Sequence, residues 1–243
     1  MLMKYETSVM SFIKSKKDLL VWAGMLLDKN EWIPIPSEPC AETVAHKTFT
    51  SDAAGEAAGC TNCNTPGAAS IGFDEDGIFI MAKRIIWPQG MMNKKDSKGV
   101  RLGDKSTTLE IIGVLLPLLL IPEKLKNQHL VFKVDNIACI YGWENRAMKG
   151  DIMASIIVRA IHLISCYLGS TIHMYHLPRK SDFESNMVDR MTREKTLSFQ
   201  DRKLLNSFRN LEIPSFFMDW LSYPTEDWDL SMKILNHVKD LVQ

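Results

Sequence analysis

The sequence predicts an α/β fold: a five-stranded mixed sheet flanked by helices, with helical extensions at both ends of the chain. Three observations lead there. Between Lys47 and Ile86 three segments in succession read as strands, the last two joined by Asp74-Glu75-Asp76-Gly77, whose Asp-Gly pair favours a hairpin. From Ser106 onward, helical and strand patterns alternate as far as Arg193. Antiparallel strands followed by such alternation imply a mixed sheet with helices packed on its faces.

Each element has its own signal. Residues 8–28 place Val9, Phe12, Ile13, Leu19, Leu20, Trp22, Leu26 and Leu27 near helical spacing, with lysines between them. Three prolines over 29–46 predict an extended or looped stretch. Lys47–Asp52 reads as the first strand, with Thr48, Thr50 and Asp52 on one face and Phe49 and Ser51 on the other. A long turn follows, rich in Gly, Ala and Asn. Strands are then expected over 69–73 and 78–86, the second ended by Trp87-Pro88 because proline lacks a ladder donor. A helix opens near Ser106 and carries Leu109, Ile112, Leu115, Leu116 and Leu119. Pro117 is expected to kink or shorten it. A buried strand over 130–135, helices over 137–146 and 151–168, a strand over 170–176 and a helix over 182–193 complete the pattern. These readings divide the chain into an N-terminal helical connection segment (1–40), a central domain (41–193) and a C-terminal helical extension (194–243), whose last helix is expected over 230–242.

Of 243 residues, 46% are hydrophobic, enough for a substantial core. Lys+Arg and Asp+Glu stand at 29 each, so attraction to a polyanion must come from a local patch. The candidate patch is Lys94, Lys95, Lys98, Arg101 and Lys105. Five scattered cysteines suit a reducing compartment, which predicts an intracellular protein, cytoplasmic or nuclear. Cys60 and Cys63 form a lone CxxC; Cys40 and His46 are available, but nothing in the spacing demands zinc. The N-terminus has no long apolar region, and the apolar run Ile111–Ile121 is too short to span a bilayer, so no membrane association is expected.

Four acids stand where strands end or helices run. Asp52 closes the first strand and Asp135 the fourth. Glu110 lies in the first turns of the central helix and Asp189 on the helix over 182–193. An acid at the end of an apolar strand is costly unless solvated, paired or bound to a cation. If the two strands are neighbours their acids lie side by side, and a crossing helix can bring a third. Converging carboxylates suit Mg²⁺, and two such ions can activate water and stabilise a leaving oxygen in phosphodiester hydrolysis. Each acid also has a local reading. Glu110 could complete a capping box with Thr107, Asp135-Asn136 could cap a helix, Asp52 could begin a turn, and Asp189 could pair with Arg190 or Arg193. The joint placement of the four favours the metal site.

Four segments resemble the RNase H domain of retrotransposon polyproteins, in particular the DIRS-like and Ty3-like elements. Phe49-Thr50-Ser51-Asp52-Ala53-Ala54-Gly55 is similar to the family's first strand. Thr108-Leu109-Glu110 with Leu115 and Leu116 resembles its central helix, and Val134-Asp135-Asn136 its fourth strand end. His176-Leu177-Pro178-Arg179, continued by Asn186 and Asp189-Arg190-Met191-Thr192-Arg193, resembles its closing motif. Lys17 to Trp22 is similar to the segment joining reverse transcriptase to RNase H. The likeness spans about residues 15–193. It implies an RNase H-like fold, cleavage of RNA in RNA–DNA hybrids, and two Mg²⁺ or Mn²⁺ ions held by Asp52, Glu110, Asp135 and Asp189. Lys94, Lys95, Lys98, Asn136, Arg179 and Lys180 are the expected nucleic-acid contacts. The chain departs from the family at Arg179, Val188 and Thr192. No histidine lies between His176 and Asp189. A reverse-transcriptase palm is absent from the sequence, so a polyprotein fragment, a separate subunit or a derived host protein is expected. The terminal segments are expected to dock: the C-terminal part on the domain itself, the N-terminal helix on a partner such as a reverse-transcriptase chain or other protein.

The alternative is a non-catalytic RNase H-like scaffold or nucleic-acid-binding module, since one fold hosts several activities. Tyr141 and Trp143 are expected on the buried face of their helix. His162 and His173 are expected to be structural.

Overall fold

The computed structural model describes residues 45–55, 66–178, 182–194 and 197–243. The chain divides into two compact units, residues 1–36 and 37–243, and every described residue belongs to the second. The expected N-terminal helix, the CxxC, Arg179 and Lys180 lie outside the described residues.

Strands β1 (Lys47–Ala53), β2 (Gly67–Asp74), β3 (Phe79–Ile86), β4 (His129–Val134) and β5 (Thr171–His176) form one sheet in the order β3-β2-β1-β4-β5. β1 and β2 pair antiparallel, as do β2 and β3, while β1 with β4 and β4 with β5 are parallel. This is the mixed sheet expected. The β2–β3 turn is held by Asp74, whose Oδ1 accepts the Ile78 N–H at 2.8 Å. The helices are α1 (Gln89–Asn93), α2 (Ser106–Leu120), α3 (Ile137–Glu144), α4 (Ile152–Leu168), α5 (Phe183–Arg193), α6 (Phe199–Ser207), α7 (Ser215–Ser222) and α8 (Asp229–Val242).

Adjacent strand residues point to opposite faces, and β1 shows which helix covers which. The Ser51 hydroxyl donates to Gly113 O of α2, whereas Asp52 accepts from Thr192 of α5. α2 therefore lies on one face and α5 on the other. On the α5 face Met187, Val188 and Met191 pack against Ala69, Ile71 and Ala82. Within the sheet, Phe49 stacks on Phe132 at 5.0 Å between ring centres.

α2 is sandwiched between the sheet and α4, and every residue from Thr108 to Leu120 is buried. Burial on all sides explains why its sequence is apolar all round. Pro117 neither ends nor shortens it, contrary to expectation: the helix continues to Leu120. Proline deprives the carbonyl four residues back of its helical donor. That carbonyl belongs to Gly113, and the Ser51 hydroxyl supplies a donor at 3.3 Å.

α4 starts on Asp151, whose side chain accepts the Ala154 N–H. It ends at Gly169, where φ is 65°, a left-handed closure that favours glycine. α8 packs on α4 and buries Leu230, Ile234, Leu235 and Val238. The Arg159 guanidinium lies 5.6 Å from the Trp228 ring centre. α6 is fastened to α5 by Arg190, whose Nε and Nη2 donate to the two oxygens of buried Asp201, each at 3.0 Å.

The burial expected of Tyr141 is not found: it is 58% exposed, as is Ile137 one turn earlier at 52%. α3 has only eight residues, and it turns Cys139 and Gly142 inward. Trp143 is half-buried, stacked on His162 with ring centres 3.8 Å apart. No helix among the described residues is long and apolar enough to cross a membrane.

Candidate metal centre

The register of the parallel pair sets the site. Thr50 lies opposite Lys133, and the same offset two residues on puts Asp52 beside Asp135 at the strand ends. Asn136, not Asp135, caps α3, accepting the Ala138 N–H at 3.0 Å. The Asp135 carboxylate is thereby left to the cleft. Glu110 sits five residues into α2 and does not reach back to Thr107: the helix start has no side-chain cap, and the Ala53 N–H donates to Glu110 instead. Asp52, Glu110 and Asp135 each present a carboxylate oxygen, and all three oxygens lie within 4.8 Å of one another.

Two of these acids are deeply buried, Asp52 at 4% exposure and Glu110 at 2%. Asp52 Oδ2 accepts the Thr192 hydroxyl at 2.7 Å, but Asp52 Oδ1 and Glu110 Oε2 have no hydrogen-bond partner. Burial, partly offset by the Thr192 hydroxyl, raises the Asp52 carboxyl to about 6. Burial again, then the charges of Asp52 and Asp135, push Glu110 well above the usual carboxylate range. Buried oxygens without donors, crowded by like charges, are unfavourable in a metal-free protein. A hard divalent cation that takes oxygen ligands relieves both problems, so the donor set fits Mg²⁺ or Mn²⁺.

Asp189 lines the same cleft, together with Thr50, Asp52, Lys133, Asp135 and Ser185, but stands outside the 4.8 Å group. Its Oδ1 accepts Arg193 Nε at 2.7 Å. Of the two arginines proposed as its partner, Arg193 takes it, and Arg190 is committed to Asp201. Lys133 Nζ donates to Glu184 Oε2 at 2.9 Å, and the Thr50 hydroxyl donates to the same oxygen at 2.7 Å. Sequence reasoning missed Thr192, Lys133 and Glu184 as neighbours of the acids. The one signal for Thr192 is its place three residues after Asp189.

The basic stretch is partly consumed by the fold. Lys105 bridges Asp96 at 2.7 Å and Asp151 at 3.1 Å, and Arg101 pairs with Asp104. Lys98 Nζ donates to Gly150 O at 2.8 Å. Lys94 and Lys95 are exposed. The stretch stands at the cleft end of the sheet, because Gly103 abuts Gly55 just beyond β1.

The chain has few recognisable relatives by sequence. No family model matches it, and no curated protein sequence is significantly similar. It is similar to solved RNase H structures. LC11-RNase H1, isolated from compost by a metagenomic approach, shares 12% identity over 68% of this chain and 98% of its own, with a TM-score of 0.42. The same protein in complex with an RNA/DNA hybrid shares 12% identity over 58% and 92%, with a TM-score of 0.43. The N-terminal RNase H domain of Rv2228c from Mycobacterium tuberculosis shares 12% over 60% and 94%, with a TM-score of 0.40. The fold stands on its own strand order and pairing: a five-stranded mixed sheet flanked by helices, of the RNase H-like class.

Proposed function

We propose that the protein is a metal-dependent ribonuclease of the RNase H type, cleaving RNA in RNA–DNA hybrids, and that it derives from a retrotransposon polyprotein. One observation carries this reading. Three carboxylates from β1, α2 and the end of β4 converge within 4.8 Å, with two buried oxygens that lack any donor. A purely structural role gives no return for burying repelling charges without partners.

Asp52, Glu110 and Asp135 would hold the first divalent ion, and Asp52 with Asp189 would serve a second. Such ions, when bound, lower the pKa of a coordinated water and stabilise charge on the leaving oxygen. The protein's own part is positional. The Thr192 hydroxyl fixes Asp52 Oδ2, and Asn136 caps α3 so that Asp135 need not. Lys133, tied to Glu184 at the cleft wall, offers positive charge toward a phosphate backbone. Asn136, Lys94, Lys95 and Lys98, with Arg179 and Lys180 from outside the described residues, are the proposed nucleic-acid contacts.

The test is direct. Purified protein is expected to cut the RNA strand of a hybrid with Mg²⁺ and not with EDTA. Asp52→Asn and Asp135→Asn are each expected to abolish cleavage, by at least a hundredfold, while circular dichroism stays native. Equal cleavage by wild type and Asp135→Asn would overturn the assignment.

A further inference from the structure

The pair formed by Asp189 and Arg193 sets the two cation positions apart. Asp52, Glu110 and Asp135 form one tight group, in which buried Asp52 Oδ1 and Glu110 Oε2 lack a donor. Asp189 lines the same cleft but is engaged, its Oδ1 accepting Arg193 Nε at 2.7 Å along the last turn of α5. Both side chains of the pair are shielded, at 15% exposure for Asp189 and 23% for Arg193, so water screens their attraction only in part. The positive charge of Arg193 also reaches Asp52. A guanidinium of the chain itself thus already sits on Asp189.

We propose that Arg193 is a built-in competitor for the second divalent ion, which must displace the guanidinium from Asp189. This rests on reading the three-carboxylate group as a cation site. Like charges repel at close range, so a divalent ion and a guanidinium cannot both sit on Asp189 without cost. The two ions therefore bind in sequence, and the second responds to substitution at Arg193 far more than the first does.

Mn²⁺ binding measures this without any cleavage, by calorimetry and by electron paramagnetic resonance of free Mn²⁺, on the full chain. Wild type is expected to bind one ion tightly and a second at least tenfold more weakly, or not at all. Arg193→Gln is expected to tighten the second step at least tenfold and leave the first within about threefold. Arg193→Lys, which keeps a charge but loses the planar fork, should fall between. Asp189→Asn should remove the second step alone. Circular dichroism of each variant excludes loss of fold. Two equal sites in wild type, or a second step unmoved by Arg193→Gln, would overturn the competition while leaving the first site standing. No Mn²⁺ binding at all would overturn both this inference and the metal site beneath it.

Discussion

At the scale of single residues, Asp52 shows the conflict built into the site. Its carboxyl is raised to about 6, chiefly by burial, and Glu110 is displaced in the same direction. In the unfolded chain Asp52 titrates near 3.9. Between these values the folded state binds more protons than the unfolded one, so metal-free stability should fall as pH rises from about 4 to about 6. Above that window the penalty is fully present, on the order of 3 kcal/mol for Asp52. Asp52→Asn is therefore expected to raise the melting temperature in EDTA at pH 7 while destroying activity, and the gain should vanish near pH 4. Millimolar Mg²⁺ should raise the wild-type melting temperature and leave Asp52→Asn nearly unchanged. A melting curve insensitive to both pH and Mg²⁺ would show that these carboxylates are relieved in some other way. The acids themselves were legible in the sequence, because a charge at the end of an apolar strand needs a reason. The Thr192 hydroxyl was not: it meets Asp52 across 140 residues, through the crossing of α5 over β1. Nor could spacing alone choose between Arg190 and Arg193, since Asp201 decides the matter by claiming Arg190.

At the scale of elements, α2 makes the same point in the opposite direction. Its hydrophobic pattern located it, yet Pro117 argued for a kinked or shortened helix, and the helix runs on to Leu120. The missing donor comes from Ser51, 62 residues away in sequence. Ser51→Ala should thus leave Gly113 O without a donor and cost about 1–3 kcal/mol. Adding Pro117→Ala restores a helical N–H, so the double variant should recover much of that loss. Chemical denaturation of the four proteins in a double-mutant cycle measures the coupling, and simple additivity would show that Ser51 does not serve Pro117. α3 was placed by its pattern, but Tyr141 was misjudged because a short helix has few contacts to cover it. The basic loop before α2 is a third case. Composition marked it as a patch, whereas the fold spends Lys105 and Arg101 on internal pairs. Replacing Lys94, Lys95 and Lys98 by Gln should weaken hybrid binding and flatten its salt dependence by up to about 0.9 per lost phosphate contact in the log–log slope. Fluorescence anisotropy across a salt series reads this, and an unchanged slope would return the lysines to solvent.

At the scale of the whole molecule, the mixed sheet followed from the strand signals. The packing of residues 197–243 did not, because apolar aromatics announce burial without naming the surface they cover. In the structure α8 lies on α4, and α4 lies on α2. A chain shortened to residues 1–228 would expose Leu230's, Ile234's, Leu235's and Val238's partners on α4 to water. At about 1.5–3 kcal/mol per buried side chain, this loss rivals the 5–15 kcal/mol total of a typical domain. The shortened chain is expected to melt far below the full one and to bind a hydrophobic dye; equal melting temperatures would mean that α8 is dispensable. The complete burial of α2 from Thr108 to Leu120 has one more consequence. Its backbone amides can exchange with deuterium only through large-scale opening, so they should be among the slowest in the protein, while those of α6 and α7 exchange by local fraying. Glu110 thus stands on a helix held by the core on every side, so its backbone keeps a fixed place relative to Asp52 and Asp135. On the proposed reading, a cation would meet three carboxylates already in place and would not have to gather them.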